Sequence, residues 1–169
     1  MNMSNKSKIA IIMGSDSDMP VMSEASSILE KYDVAFQVKI LSAHRSPDDV
    51  AKFAKAARRD GIKVIIAGAG GAAHLAGVIA SHTTIPVIGV PMETSELKGV
   101  DSLFSIVQMP SGVPVATVTI GHTGAKNAAI LALEILGLSD KRIEKKLDAF
   151  KKELADSVRK KNLKTRRCL

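Results

Sequence analysis

Cysteine is almost missing from this chain: Cys168, one residue from the end, is the only one in 169. A lone cysteine cannot close an intramolecular disulfide, and no CxxC pair is present to hold zinc. That usage fits a reducing, cytoplasmic setting. Tryptophan is absent and aromatics reach only 3%, so the core must come from Ala, Val, Ile and Leu. The four histidines form no HExxH and no other metal spacing, and a metal site is not expected. No G-x-S-x-G elbow occurs, which argues against a hydrolase of that type. Met1 to Ser7 is polar and lacks the apolar centre of a signal peptide. Residues 64–92 carry no charge, long enough for a membrane span. Glycines, two histidines and two prolines interrupt them, so the stretch reads as buried strand, helix and strand, and no membrane partner is expected.

An excess of charge of one sign is found only at one end. The formal net charge is +7, but residues 141–169 hold 12 Lys and Arg against 4 Asp and Glu, while residues 1–140 hold 12 against 13. The basic excess belongs to the C-terminal segment, and no nucleic-acid partner follows from it. The length suits one domain over residues 1–169, with residues 1–7 and 162–169 expected to be flexible.

Apolar, β-branched runs recur at Ile9–Met13, Ala35–Leu41, Val64–Ala67, Val87–Val90 and Val113–Ile120. Helical patterns lie between them: from near Met19 with Pro20 in the first turn, from Ser46 as N-cap with Pro47 next, over about 72–82, from near Gly99, and over about 125–136. This alternation predicts a five-stranded parallel sheet covered by helices on both faces. A sixth, C-terminal helix is expected over 139–161, with Ile143, Leu147, Phe150, Leu154 and Val158 as its apolar stripe. Small-residue faces, Ala72, Ala73, Ala76 and Ala80 on one helix and Ala125, Ala128, Ala129 and Ala132 on another, allow close packing. They would meet either another subunit or the sheet.

Ligands of such folds sit outside the carboxyl ends of the strands. Three loops lead from those ends. Gly14-Ser15-Asp16-Ser17-Asp18 offers backbone N–H groups and hydroxyls for a phosphate and carboxylates for a sugar diol; it also reads as an ordinary capping turn. Ser42-Ala43-His44-Arg45-Ser46-Pro47 sets a histidine, whose proton moves near neutral pH, beside a forked anion donor. A plain surface histidine is the alternative, and Arg45 weighs against it. Gly68-Ala69-Gly70-Gly71-Ala72-Ala73 fits the G-x-G-x-x-A dinucleotide fingerprint, with Glu93 after the next strand. It follows the third strand, however, and does not open the first βαβ unit. His74 reads as a ligand contact or a satisfied buried histidine, and His82 and His122 as structural or exposed. The third strand ends in Gly and Ala with no Asp, which disfavours a receiver-type phosphoacceptor.

Together these segments resemble one family: the class I N5-carboxyaminoimidazole ribonucleotide mutases (PurE) of de novo purine synthesis. The resemblance is carried by Met13 to Asp18, Ser42 to Pro47, Gly68 to Leu75, Gly89-Val90-Pro91 and Gly99 to Pro110, and covers about residues 8–137. Ala76 stands where the family commonly has proline, which is expected to loosen the loop after His74. Ser46 replaces the common threonine and is expected to keep the hydroxyl cap. The related class II carboxylases typically carry lysine where Arg45 stands and lack the Gly-Gly-Ala-Ala-His run, so the resemblance is to class I.

The resemblance implies a flavodoxin-like three-layer fold, a homo-octamer, a small ribonucleotide substrate, and neither cofactor nor metal. The implied reaction moves a carboxyl group, held as CO2, from the exocyclic nitrogen to ring carbon C4. Carried over by position, His44 is the general acid/base, and Ser15, Asp18 and Arg45 are substrate contacts. Ser42 and the Gly70-Gly71 backbone line the site, with His74 as a further contact. A nucleotide-binding regulatory module and an NAD(P)-binding oxidoreductase are the other readings. Turnover with neither ATP nor NAD separates the mutase from both.

Overall fold

The computed structural model describes residues 7–165. Five strands, β1 (Ile9–Met13), β2 (Phe36–Ile40), β3 (Val64–Ala69), β4 (Val87–Pro91) and β5 (Ala116–Thr117), form one parallel sheet in the order β2-β1-β3-β4-β5. Helices α1 (Met19–Lys31), α2 (Pro47–Ala57), α3 (Leu75–Ser81), α4 (Val100–Val107), α5 (Gly121–Gly137) and α6 (Lys141–Thr165) follow in turn. The Cα packing forms two compact units, one ending at Ala132 and one beginning at Leu133.

In the first unit the order reverses between β1 and β3, the switch point of a doubly wound α/β sheet. β1, β3 and β4 are buried throughout, as a sheet covered on both faces requires. Ala10, Ile12, Ile65, Ala67 and Ala69 meet α2 and α3 through Val50, Ala54, Leu75, Ala76 and Ile79. The alternate positions face the other way. A Cβ added at Gly68 would lie 2.7 Å from Met22 Sδ of α1 and 2.6 Å from Met92 Cε. The first unit thus has three layers, with α1 on one side and α2 and α3 on the other. At the β2 edge, Val38 and Ile40 are exposed.

Several local expectations need correction. The run Val113–Ile120 contributes a strand of only two residues. Pro114 has no N–H to give a ladder, and a turn closes just before it, with Gly112 at φ 91° and Val113 N–H donating to Pro110 O. α3 begins at Leu75 and not at 72, because Gly71 is left-handed (φ 63°) and tight turns run from it to His74. Ser46 stands at the N-cap of α2 but makes no cap hydrogen bond. Its Oγ accepts from Ser42 N–H and donates to Ser42 O, both at 3.2 Å, so it braces its own loop. Of the small-residue faces, Ala73, Ala76, Ala125, Ala128, Ala129 and Ala132 are buried within the chain and are not free for another subunit.

In the second unit, Ile143 and Leu147 of α6 are buried, whereas Leu154 and Val158 lower on the same stripe are exposed. The helix runs to Thr165, beyond the expected end at 161. Good helix formers, the Arg159–Asp156 pair and a Thr165 Oγ1 bond to Lys161 O carry it on. The expectation of flexible ends falls, for residues 1–6 and 166–169, outside the described residues.

Gly89 marks the closest approach of β4 to its neighbours. A Cβ there would collide with Ile106 Cγ2 and lie 2.9 Å from Val115 Cγ1. Both are β-branched and stiff. Gly89→Ala should therefore destabilise the fold by about 1–3 kcal/mol, read as a lower midpoint in urea. An unchanged midpoint would show that α4 can retreat at no cost.

Candidate active site

Registry sets the site. Met13 at the end of β1 pairs with Ile40 on one side and Gly68 on the other. Leu41 N–H donates to Met13 O and Gly14 N–H to Gly68 O, so three chains leave the sheet at one level. Their loops enclose a cavity of about 360 Å³. Ser15, Asp18, Ser42, His44, Arg45, Gly70 and His74 line it, joined by Gly14, Ser17, Ala43, Ala69, Ala72 and Leu75.

The first loop is a 3-10 turn over Asp16–Asp18 that leads straight into α1. Ser15 caps it, its Oγ accepting from Ser17 N–H while donating to Asp16 Oδ1 at 3.0 Å. Partial burial raises the Asp18 carboxyl above 3.8, and hydrogen bonds from the Ser15 backbone and the Ser17 side chain oppose that shift. In the second loop, Ser42 Oγ accepts from the backbone N–H of Arg45 at 3.2 Å. The Arg45 guanidinium crosses to the first loop, Nη2 donating to Gly14 O at 2.8 Å, with Nε 3.4 Å from Ser42 Oγ. Two guanidinium N–H groups are used this way; the rest of the fork remains for an anion.

His44 Nε2 lies 2.8 Å from His74 Nδ1, and the rings meet edge to face. At that distance one ring nitrogen donates its N–H and the other accepts it. His74 ends the glycine-rich loop just before α3. The contact therefore joins residues thirty apart in sequence.

Gly71 departs from expectation. It does not line the cavity. Its N–H donates to Ser102 Oγ at 2.9 Å, and its C=O accepts from Ser105 Oγ at 3.1 Å. Gly70, the second glycine of the G-x-G-x-x-A pattern, does line the cavity; Gly71 occupies one of its unspecified positions. Ser102 and Ser105 lie inside the quoted Gly99–Pro110 motif, yet no role follows for them from sequence. Their spacing of three on one helix face was the available signal. Of the two remaining histidines, His122 is exposed and sits 3.4 Å from Glu24 Oε1, and His82 closes α3 as its C-cap. Among the described residues no three His, Cys, Asp or Glu side chains gather as metal ligands. No helix among them is long and apolar enough to cross a membrane.

A parallel α/β sheet with a polar pocket at its carboxyl edge defines a small-molecule enzyme of doubly wound type. The AIR carboxylase family model matches residues 8–157, and the chain belongs to that family. It is 56% identical over 158 residues to the N5-carboxyaminoimidazole ribonucleotide mutase of Pyrococcus horikoshii, covering 94% of this chain and 88% of that protein. It is likewise 56% identical over 151 residues to the mutase of Thermotoga maritima, covering 89% and 87%. The crystal structure of Treponema denticola PurE superposes with a TM-score of 0.84 at 29% identity, covering 92% of this chain and 96% of that one.

The raised Asp18 carboxyl has a consequence for stability. A folded-state value above the unfolded 3.8 means that protonation favours the fold. The contribution is complete below pH 3.8 and is lost as pH rises through the folded value. Asp18→Asn lacks this dependence. The ligand-free Asn variant should gain on wild type in denaturation midpoint as pH rises through that value. A gap that stays constant with pH, measured in parallel urea titrations, would contradict the assignment.

Proposed function

We propose that this chain isomerises N5-carboxyaminoimidazole ribonucleotide to 4-carboxy-5-aminoimidazole ribonucleotide in purine (IMP) biosynthesis. It does so as one catalytic domain without a cofactor. The observation that carries the reading is the His44–His74 pair beside Arg45, Ser15 and Asp18 in one cavity. The relatives' mutase names point the same way. The family match also crosses the division between the two compact units, which favours one functional domain.

The chemistry asks for few groups. The N–carboxyl bond breaks, leaving CO2 and an exocyclic nitrogen that takes a proton. Ring carbon C4 then attacks CO2, a C–C bond forms, and C4 gives up its proton. One proton is supplied and one removed, so a single group that alternates between acid and base serves both steps. His44 fills that role. His74 holds its ring by the Nε2–Nδ1 contact and offers the proton a second seat. Arg45 suits the phosphate, tied across two loops and thereby preorganised. Asp18 suits a ribose hydroxyl, and Ser15, Ser42 and the Gly70 backbone complete the wall.

We further place the protein in the cytoplasm as a homo-octamer. Supporting assembly is an apolar stripe of Leu97, Val100, Phe104 and Val107 at and along α4, each at least 44% exposed. Such a stripe is unusual for a free monomer surface, and symmetric self-association is the common way to cover it.

His44→Asn should lower turnover by about 10²–10⁴-fold while substrate still binds, followed by the ultraviolet change of the imidazole. Near-normal turnover would reject His44 as the proton carrier. Light scattering at micromolar concentration should give a mass near eight chains; a fully active monomer would refute the octamer.

A further inference from the structure

We propose that Ser102 and Ser105 of α4 are positioning residues. By gripping the Gly71 peptide on both sides, they set where Gly70 and His74 stand and so hold His74 against His44. The activity part of this proposal rests on the mutase reading above.

The grip is complete. Ser102 is the one fully buried polar side chain among the described residues. Its Oγ accepts the Gly71 N–H at 2.9 Å. One turn on, Ser105 Oγ donates to Gly71 O at 3.1 Å and is shared with Asp101 O of its own helix at 2.8 Å. Buried helix serines commonly satisfy themselves on the preceding turn. Here the loop takes part of that bonding. Gly71 is left-handed at φ 63°, a conformation with nothing local to hold it except its own hydrogen bonds.

What Gly71 does is passed on directly. Only Ala72 and Ala73 separate it from His74, and both following turns are closed, Ala73 N–H onto Gly71 O and His74 N–H onto Ala72 O, each at 2.8 Å. Gly71 O thus serves Ser105 and Ala73 at once. At Gly70 the loop runs close to the end of β4, where an added Cβ would lie 3.3 Å from Met92 Cβ. α4 itself is braced: Thr94 Oγ1 donates to Asp101 Oδ1 at 2.8 Å and accepts from Gly99 N–H at 3.2 Å. A rotation of the Gly71 peptide would have to move His74, and a 2.8 Å contact between ring nitrogens does not survive such a move.

The test uses the full chain carrying Ser102→Ala, Ser105→Ala or Ser105→Thr. Two quantities are read: kcat and KM on the carboxyamino ribonucleotide, and the imidazole NMR resonances of His44 and His74 without ligand. Both alanine variants should lose about ten- to a hundredfold in kcat, with KM moving much less, and both histidine signals should shift. Ser105→Thr, which keeps the hydroxyl, should restore rate and resonances. Wild-type kcat and unshifted histidine signals in Ser105→Ala would overturn the proposal, as would equal losses in Ser105→Ala and Ser105→Thr. If Ser102→Ala does not fold, the half-buried Ser105 pair decides alone. A wild-type protein with no turnover would instead sink the mutase reading, and the histidine resonances would then judge the grip by themselves.

Discussion

Everything at the site depends on β1 being hydrogen-bonded on both edges in one register. Met13 is flanked by Ile40 and Gly68, so the chains emerging from β1, β2 and β3 start at the same height. A slip of one residue in a strand turns every side chain to the other face. For β1, itself buried throughout and paired with β2 and β3, that would also misalign three loops at once. The apolar content of β1 and β3 therefore does more than fill the core. It fixes the frame in which a histidine from one loop can meet a histidine from another.

Given that frame, short polar bonds shape the loops. Ser46 gives up capping α2 and braces Ser42 instead. Ser42 then receives the Arg45 N–H, and Arg45 reaches Gly14. The glycine-rich loop is tied at Gly71 from α4. The glycine-rich loop is held from outside the cavity, and the other two are tied by bonds among groups that line it. Preorganisation of this kind avoids ordering the groups when the substrate arrives. Asp18 shows the opposing side of the same design. Its carboxyl is kept partly out of water, a cost to the free protein that fits a group meant for a partner.

Strand, helix and loop order was readable because the period of the apolar pattern and the capping residues are local signals. β1 was read to the residue, and Pro47 marks the start of α2 as expected. The errors fall where tertiary contacts override local preference. Val113–Ile120 is as β-branched as any true strand, yet Pro114 and the Gly112 turn leave two residues of ladder. Ala72 and Ala73 are good helix formers, yet the left-handed Gly71 delays α3 to Leu75. The alanine faces suited another subunit as well as the sheet, and burial within the chain decided between them for six of the eight.

The sequence alone determined the α/β class, the three loops that carry polar chemistry, and a family whose motifs name His44 and Arg45. These follow from residue types and short spacings, which need no knowledge of what lies across the fold. Only the tertiary structure decided that His74 bonds to His44, that Arg45 spans two loops, and that Gly71 belongs to α4 and not to the cavity. The reason is physical. Each of those contacts joins groups about thirty residues apart in the chain, and their meeting depends on strand register and helix placement. No local pattern encodes these.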